Sequence, residues 1–485
     1  MTSRDLPSRP SLEHLRNEAR DLHRERKATD PDAKLSSAQF AVAQSYGFPS
    51  WPKLREHVET INRYFWPPVE AGSADEQADL VDRFLAHACP TNSVEARQGP
   101  LDAAALLDEH PELATASVHT MAAANEADAL RAAIAADPTV VERPGGPHRW
   151  VPLLYAAYAR VPGHSTLDAA RVLLDAGADP NAGSLWDGTF PFTALTGVFG
   201  GGEEGGQPRH PDGMTFARLL LDAGANPNDT QAIYNGTFEP DDAHLELLFE
   251  FGLGTGDPGP WAARLGPRAS SVSDYLLLNL EWAVERGFVD RVRLLLDHGV
   301  DPNGRSHYRA DDERSLYEKA EAAGNPEIAE LLVTAGVEPR ELDPVERFVG
   351  ACMRGDRAEV EALRTDELVR LAEHDHAPLA RAAQFGRRDA VRLMLDVGFD
   401  INALDDGSAL MGGPGGTALH AAARDGNVEL VRDLLAWGAD PTIVDLKFNS
   451  TARGWAEYGG QQEVVDLLDA WRSPTSPEVP VWGAP

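Results

Sequence analysis

The stretch that decides the fold is Gly416–Pro441, GTALHAAARDGNVELVRDLLAWGADP. It reads as a short helix, a turn at Gly426, and a second amphipathic helix carrying Val431, Leu434 and Leu435. Gly438 suits the residue just past a helix end, where a positive φ is needed, and Pro441 stops the helix from continuing.

Moved forward by 33 residues, the pattern overlays NSTARGWAEYGGQQEVVDLLDAW from Asn449, with Gly426 falling on Gly459 and Val431 on Val464. Moved back by 40, it meets APLARAAQFGRRDAVRLMLDVGFDIN, with Gly386 at the turn. Gly287, Gly324 and Gly355 mark further turns, and Asn125 takes the same place upstream. The closing signature recurs at Gly177, Gly224, Gly299, Gly336, Gly398 and Gly438, usually followed by Asp-Pro-Asn turn chemistry.

These residues resemble the ankyrin repeat over roughly Leu101 to Trp471. The resemblance implies an all-α ankyrin-repeat solenoid of about ten helix pairs, each stacked on the next because no pair can bury its apolar face alone. It also implies that His420 braces one repeat to its neighbour. The N-terminal SLEHLRNEARDL…YGFPSWPKLREHVE, Ser11 to Glu59, is similar to a unit shared by a group of bacterial ankyrin proteins of unknown function. Leu12, Leu15, Ala19 and Leu22 form one apolar stripe there; Phe40 with Ala41, and Leu54, Val58 and Ile61, form others. Ser50 fits a helix N-cap, and Tyr46, Phe48 and Trp51 the small core. The expected organisation is an N-terminal helical unit over 1–65, a linker over 66–78, the repeat array over 79–472 with irregular middle repeats at 150–303, and a tail over 473–485.

The spacing of the closing glycines shows where material has been added. It is 40 residues from Gly398 to Gly438 and 37 from Gly299 to Gly336, but 47 from Gly177 to Gly224 and 28 from Gly224 to Gly252. In the middle, GGGEEGG (Gly200–Gly206) replaces the tight turn between two helices, and RVPGHST lies at the same place one repeat earlier. The tract is not a phosphate cradle: it has no Lys-Ser/Thr, follows no predicted strand, and Glu203 and Glu204 would repel phosphate.

Formal net charge is −33, yet residues 1–63 carry 11 Lys+Arg against 9 Asp+Glu. Such acidity disfavours nucleic acid and anionic membrane as direct partners. Cys89 and Cys352 stand alone, with neither a disulfide framework nor a zinc pattern, which suits a cytoplasmic protein. The start has no apolar h-region, so no secretion signal is expected. His374-Asp375-His376 lacks a third ligand at useful spacing and reads as a helix boundary, with Asp375 as N-cap. No cofactor or metal is expected.

Tyr155, Tyr158, Phe199, Trp282, Phe385 and Tyr458 fall on or near first helices, and Trp186, Phe190 and Phe192 on a finger. By the resemblance these positions line a concave groove, where Tyr and Trp commonly anchor a partner. The leading expectation is non-catalytic recognition of a protein or peptide, basic if the acidic surface steers it. One alternative is an enzyme or small-molecule binder with a pocket roofed by loops 160–168 and 200–213, using Glu203, Glu204 and His210 against Tyr155 and Trp282. A second is an acidic mimic of nucleic acid.

Overall fold

The computed structural model describes residues 4–66, 80–90, 93–202, 207–309, 313–405 and 415–471. It is mostly helical. The chain forms two compact units, one of residues 1–282 with 297–300 and 304–310, the other of 283–296 with 301–303 and 311–485.

In the first unit, the helices Leu80–Ala88, Val118–Ala123, Pro152–Tyr158, Ala194–Phe199 and Thr230–Asn235 each pack on the next. Their partners Ala127–Ala136, Leu167–Asp175, Gly213–Asp222 and Ala243–Glu250 make a second row, again in sequence. The second unit repeats the pattern with Leu316–Ala322, Pro344–Arg354, Pro378–Gln384, Ala418–Arg424 and Ala452–Tyr458. Leu419, Ala422, Val431 and Leu434 are fully buried there, as the quoted stretch requires. Gly438 has φ 106°, open to glycine at little cost. His420 accepts the Thr417 N–H at Nδ1 (3.1 Å) and donates from Nε2 to the Ser450 carbonyl of the following repeat (3.2 Å).

The triplet His374–His376 closes the helix Asp366–His376 and lies just before the next, Pro378–Gln384, as expected of a helix boundary; Ala377, at φ 38°, turns the chain between them. The N-cap expected at Asp375 is therefore corrected: the cap position is Ala377, which has no side-chain acceptor.

The N-terminal helices Leu12–Thr29, Leu35–Ser45 and Trp51–Tyr64 share a core of Leu15, Ala19, Val42, Tyr46, Phe48, Leu54 and Val58, with Ser50 capping the third. Phe40 departs from expectation. It is 46% exposed, because Ala38, Val42 and Ala43 form the inner face of its helix.

This unit docks on the middle repeats through a small sheet. Strand β1 (Phe65–Trp66) runs parallel to β2 (Gly183–Trp186), which forms a hairpin with β3 (Phe190–Thr193). The hairpin is the finger predicted to carry Trp186, Phe190 and Phe192. Ser184 Oγ donates to the Tyr64 carbonyl (2.9 Å), and Ile61, Leu185, Trp261 and Leu265 form a shared apolar cluster. At the hairpin turn Gly188 has φ 67°, and a Cβ there would sit 2.0 Å from the Ser8 carbonyl oxygen, so only glycine allows this approach. Arg268 completes the contact by donating to the carbonyls of Arg4 (3.3 Å) and Tyr46 (3.2 Å).

Candidate recognition surfaces

The glycine-rich tract begins at Gly200, which ends the helix Ala194–Phe199 at φ 64°. Gly201 pairs with Gln207 across the tract, and the Gly202 N–H donates to the Asn235 carbonyl (3.0 Å). Glu203 and Glu204 lie outside the described residues. The chain beyond them is anchored by two buried groups. Arg160 donates to the carbonyls of Pro208 (2.7 Å), Gly197 (2.5 Å), Ala157 and Ala159 (both 2.9 Å). Burial lowers its pKa to about 10, and it meets backbone oxygens instead of a carboxylate.

His210, 3% exposed, donates from Nε2 to Thr166 Oγ1 (2.8 Å), which in turn donates to the Ala156 carbonyl (2.6 Å). Its Nδ1 accepts the Asp212 N–H (3.1 Å). Burial first, and the charge of Arg160 second, lower its pKa to about 4. Both ring nitrogens are thus engaged, and the imidazole is neutral at pH 7. The histidine considered as an acid–base candidate fastens the loop to the preceding repeat. Beside it lies a cleft of about 390 Å³, lined by Phe199, Arg209, His210, Asn235, Glu239 and His244 among others. Arg209 there is held by Glu239 (2.8 Å) and Asp241.

The aromatic residues separate by depth. Tyr155 and Tyr158 are buried: Tyr155 donates to the Gly145 carbonyl (2.9 Å) and Tyr158 to that of Thr193 (2.9 Å). Every residue of Pro152–Tyr158 is buried, so this helix presents no groove face and the two tyrosines are mortar between elements. Trp282 is buried edge-on against Phe238 (5.0 Å). Phe199 is 8% exposed and reaches only the cleft. Trp186, Phe190 and Phe192 are half-buried on the finger, Trp186 and Phe192 6.2 Å apart. Phe385 is half-buried beneath Arg286 (5.0 Å) and Arg387 (5.4 Å). Tyr458 is 45% exposed. The structure therefore brings Phe199 and His210 to one cleft of the first unit, and Tyr458 is exposed in the second.

The surface at Tyr458 was missed in part. The finger before the helix Ala452–Tyr458 exposes Leu446 (63%) and Phe448 (59%), with Val444 also exposed. Phe448 packs edge-on against Trp455 (5.5 Å), and Trp455 against Tyr458 (5.6 Å). Asp445 builds the finger: its carboxylate accepts from the N–H groups of Lys447 (2.9 Å), Phe448 (2.6 Å) and Ser450 (2.8 Å) and from Trp455 Nε1 (2.9 Å). The available signal was the apolar pair in DLKFNS, where turn chemistry alone would be polar.

Among the described residues, no group of three or more His, Cys, Asp or Glu is placed to hold a metal ion, and no helix is long and apolar enough to cross a membrane. Residues 348–445 match the family model for ankyrin repeats, in three copies. This stretch is an ankyrin repeat region, of a kind that generally mediates protein–protein interaction. No curated protein matches the chain.

Proposed function

We propose that the chain is a non-catalytic recognition protein that binds a protein or peptide through its repeats. The row-by-row helix packing supports extending the ankyrin reading beyond 348–445, to a solenoid of about ten helix pairs. The observation that carries the proposal is the exposed apolar row Val444, Leu446, Phe448 and Tyr458, at the edge of the recognised region. Scattered apolar residues on a surface are ordinary, but four drawn from one finger and its helix form a patch that a partner would cover. The half-buried Trp186 and Phe192 offer a second finger in the middle repeats. With a net charge of −33, the chain favours a partner that combines basic and apolar side chains.

The test is site-specific photo-crosslinking in the native cell, with the reactive group at Phe448 or, as control, at Arg392 on the helix Arg388–Val397. A discrete adduct at Phe448, absent at Arg392 and weakened by Leu446→Ser, is the expected result. Equal labelling from both positions, or none from either, overturns the reading.

A further inference from the structure

A second cleft, of about 640 Å³, lies where the N-terminal helices meet the middle repeats, within the first unit. Its charge runs against that of the chain. Arg63, Arg149 and Arg264 converge on it from three separate parts of the sequence, and the two carboxylates that share it are engaged. Glu142 accepts the N–H of Asp179 (2.7 Å). Asp179 accepts the N–H of Asn181 (2.9 Å) and faces Arg264 (3.6 Å). Arg264 is further held over the rings of Tyr64 (5.2 Å) and Trp261 (4.7 Å).

Arg63 and Arg149 differ. Both are exposed, and neither side chain makes a hydrogen bond or ion pair among the described residues. In a chain with 77 acidic side chains against 44 Lys and Arg, two arginines without a carboxylate on one cleft form a local excess of positive charge. Arg149 is also held at φ 56°, a conformation rare for a residue with a Cβ, in the turn closed by its own N–H on the Gly146 carbonyl (3.0 Å). Tyr64, Phe65 and Val151, all half-buried, supply an apolar wall, and Trp150, 2% exposed, lines the cleft from within the core. The volume lies within the usual range of small-molecule sites, and guanidinium forks match carboxylate and phosphate oxygens in pairs.

We propose that this cleft binds a small organic oxyanion, a carboxylate or a phosphate, whose planar apolar body rests on the aromatic wall while Arg63 and Arg149 take its charge. The site is independent of the exposed finger near Phe448.

Isothermal titration calorimetry of the full chain in low-chloride buffer tests it, with phenyl phosphate, benzoate and uncharged phenol as probes. Binding of phenyl phosphate or benzoate at least about tenfold tighter than phenol is expected, and the stronger anion identifies the headgroup. The double change Arg63→Gln/Arg149→Gln weakens that binding by about tenfold or more, while Arg143→Gln, on an arginine paired with Asp137 outside the cleft, leaves it unchanged. Because both cleft arginines are exposed and unpaired, the double variant keeps the parent thermal transition, which circular dichroism checks. No heat from either anion up to millimolar concentration overturns the proposal. So does binding that phenol matches, or that the double variant retains.

Discussion

The guanidinium of Arg160 donates to the carbonyl oxygen of Pro208 at 2.7 Å, across 48 residues of sequence. A buried arginine here does the work of a helix cap and a loop clasp together, because the backbone carbonyls it meets would otherwise lack donors.

Arg160→Met keeps the volume and removes every donor. We expect a loss of about 3–5 kcal/mol, since several buried acceptors become unsatisfied at once. Urea denaturation measures it, and a loss below about 1 kcal/mol would sink the clasp model.

The buried histidines set an acid limit. His148 and His210 both have pKa values lowered to about 4, chiefly by burial. The unfolded chain therefore binds more protons than the folded one between pH 4 and 6.5, so stability falls as pH falls through that window. Each histidine contributes up to about 3 kcal/mol of that loss. Thermal melts at pH 7 and pH 5 should differ less in His210→Asn than in the parent; an unchanged difference would exclude this cause.

Asp445 holds the exposed finger with four accepted hydrogen bonds. Burial pushes its pKa up, but the donors from Phe448, Trp455, Ser450 and Lys447 outweigh this and hold it below the ordinary carboxylate range. Asp445→Ala should cost about 2–3 kcal/mol and speed amide exchange at Phe448 and Ser450. Leu446→Ser and Phe448→Ser, on exposed side chains, should each stay within about 0.5 kcal/mol of the parent. If those two changes destabilise as much as the loss of Asp445, the finger is part of the core and cannot be a docking surface.

Trp261 joins the N-terminal helices to the repeats, edge-on to Tyr64 (5.1 Å) and donating from Nε1 to the Asn181 carbonyl (3.0 Å). Trp261→Ala should cost about 3–5 kcal/mol. Hydrogen exchange should rise first in the helix Trp51–Tyr64, ahead of the repeats; uniform acceleration across the chain would argue against a docked unit.

The repeat was legible because its signals are local. One period of Gly416–Pro441 contains the turn, the stop and the apolar spacing; the bracing role of His420 came from the family resemblance, and the structure supplies its partner, the Ser450 carbonyl. Depth was not legible. Tyr155 and Tyr158 occupy first-helix positions that also suit a groove, and their burial depends on Trp150 and Thr193 arriving from other elements. The cleft of Arg63, Arg149 and Arg264 left no pattern either, because chain topology alone brings three distant arginines together. The finger at Phe448 could have been found, as two apolar residues inside a turn need a reason.

The pairing of Phe65 with Leu185 also orders events during synthesis. The first 66 residues leave the ribosome with their own three-helix core but without the partner of their closing strand. That partner emerges about 120 residues later, and Trp261 later still. At roughly 5–20 residues per second, the interval to Trp261 is on the order of 10–40 s. Until Leu185 arrives Ile61 lacks its partners in the shared cluster, and until Trp261 arrives Tyr64 lacks the ring it packs against. The unit over 1–65 is made well before the strand that completes it.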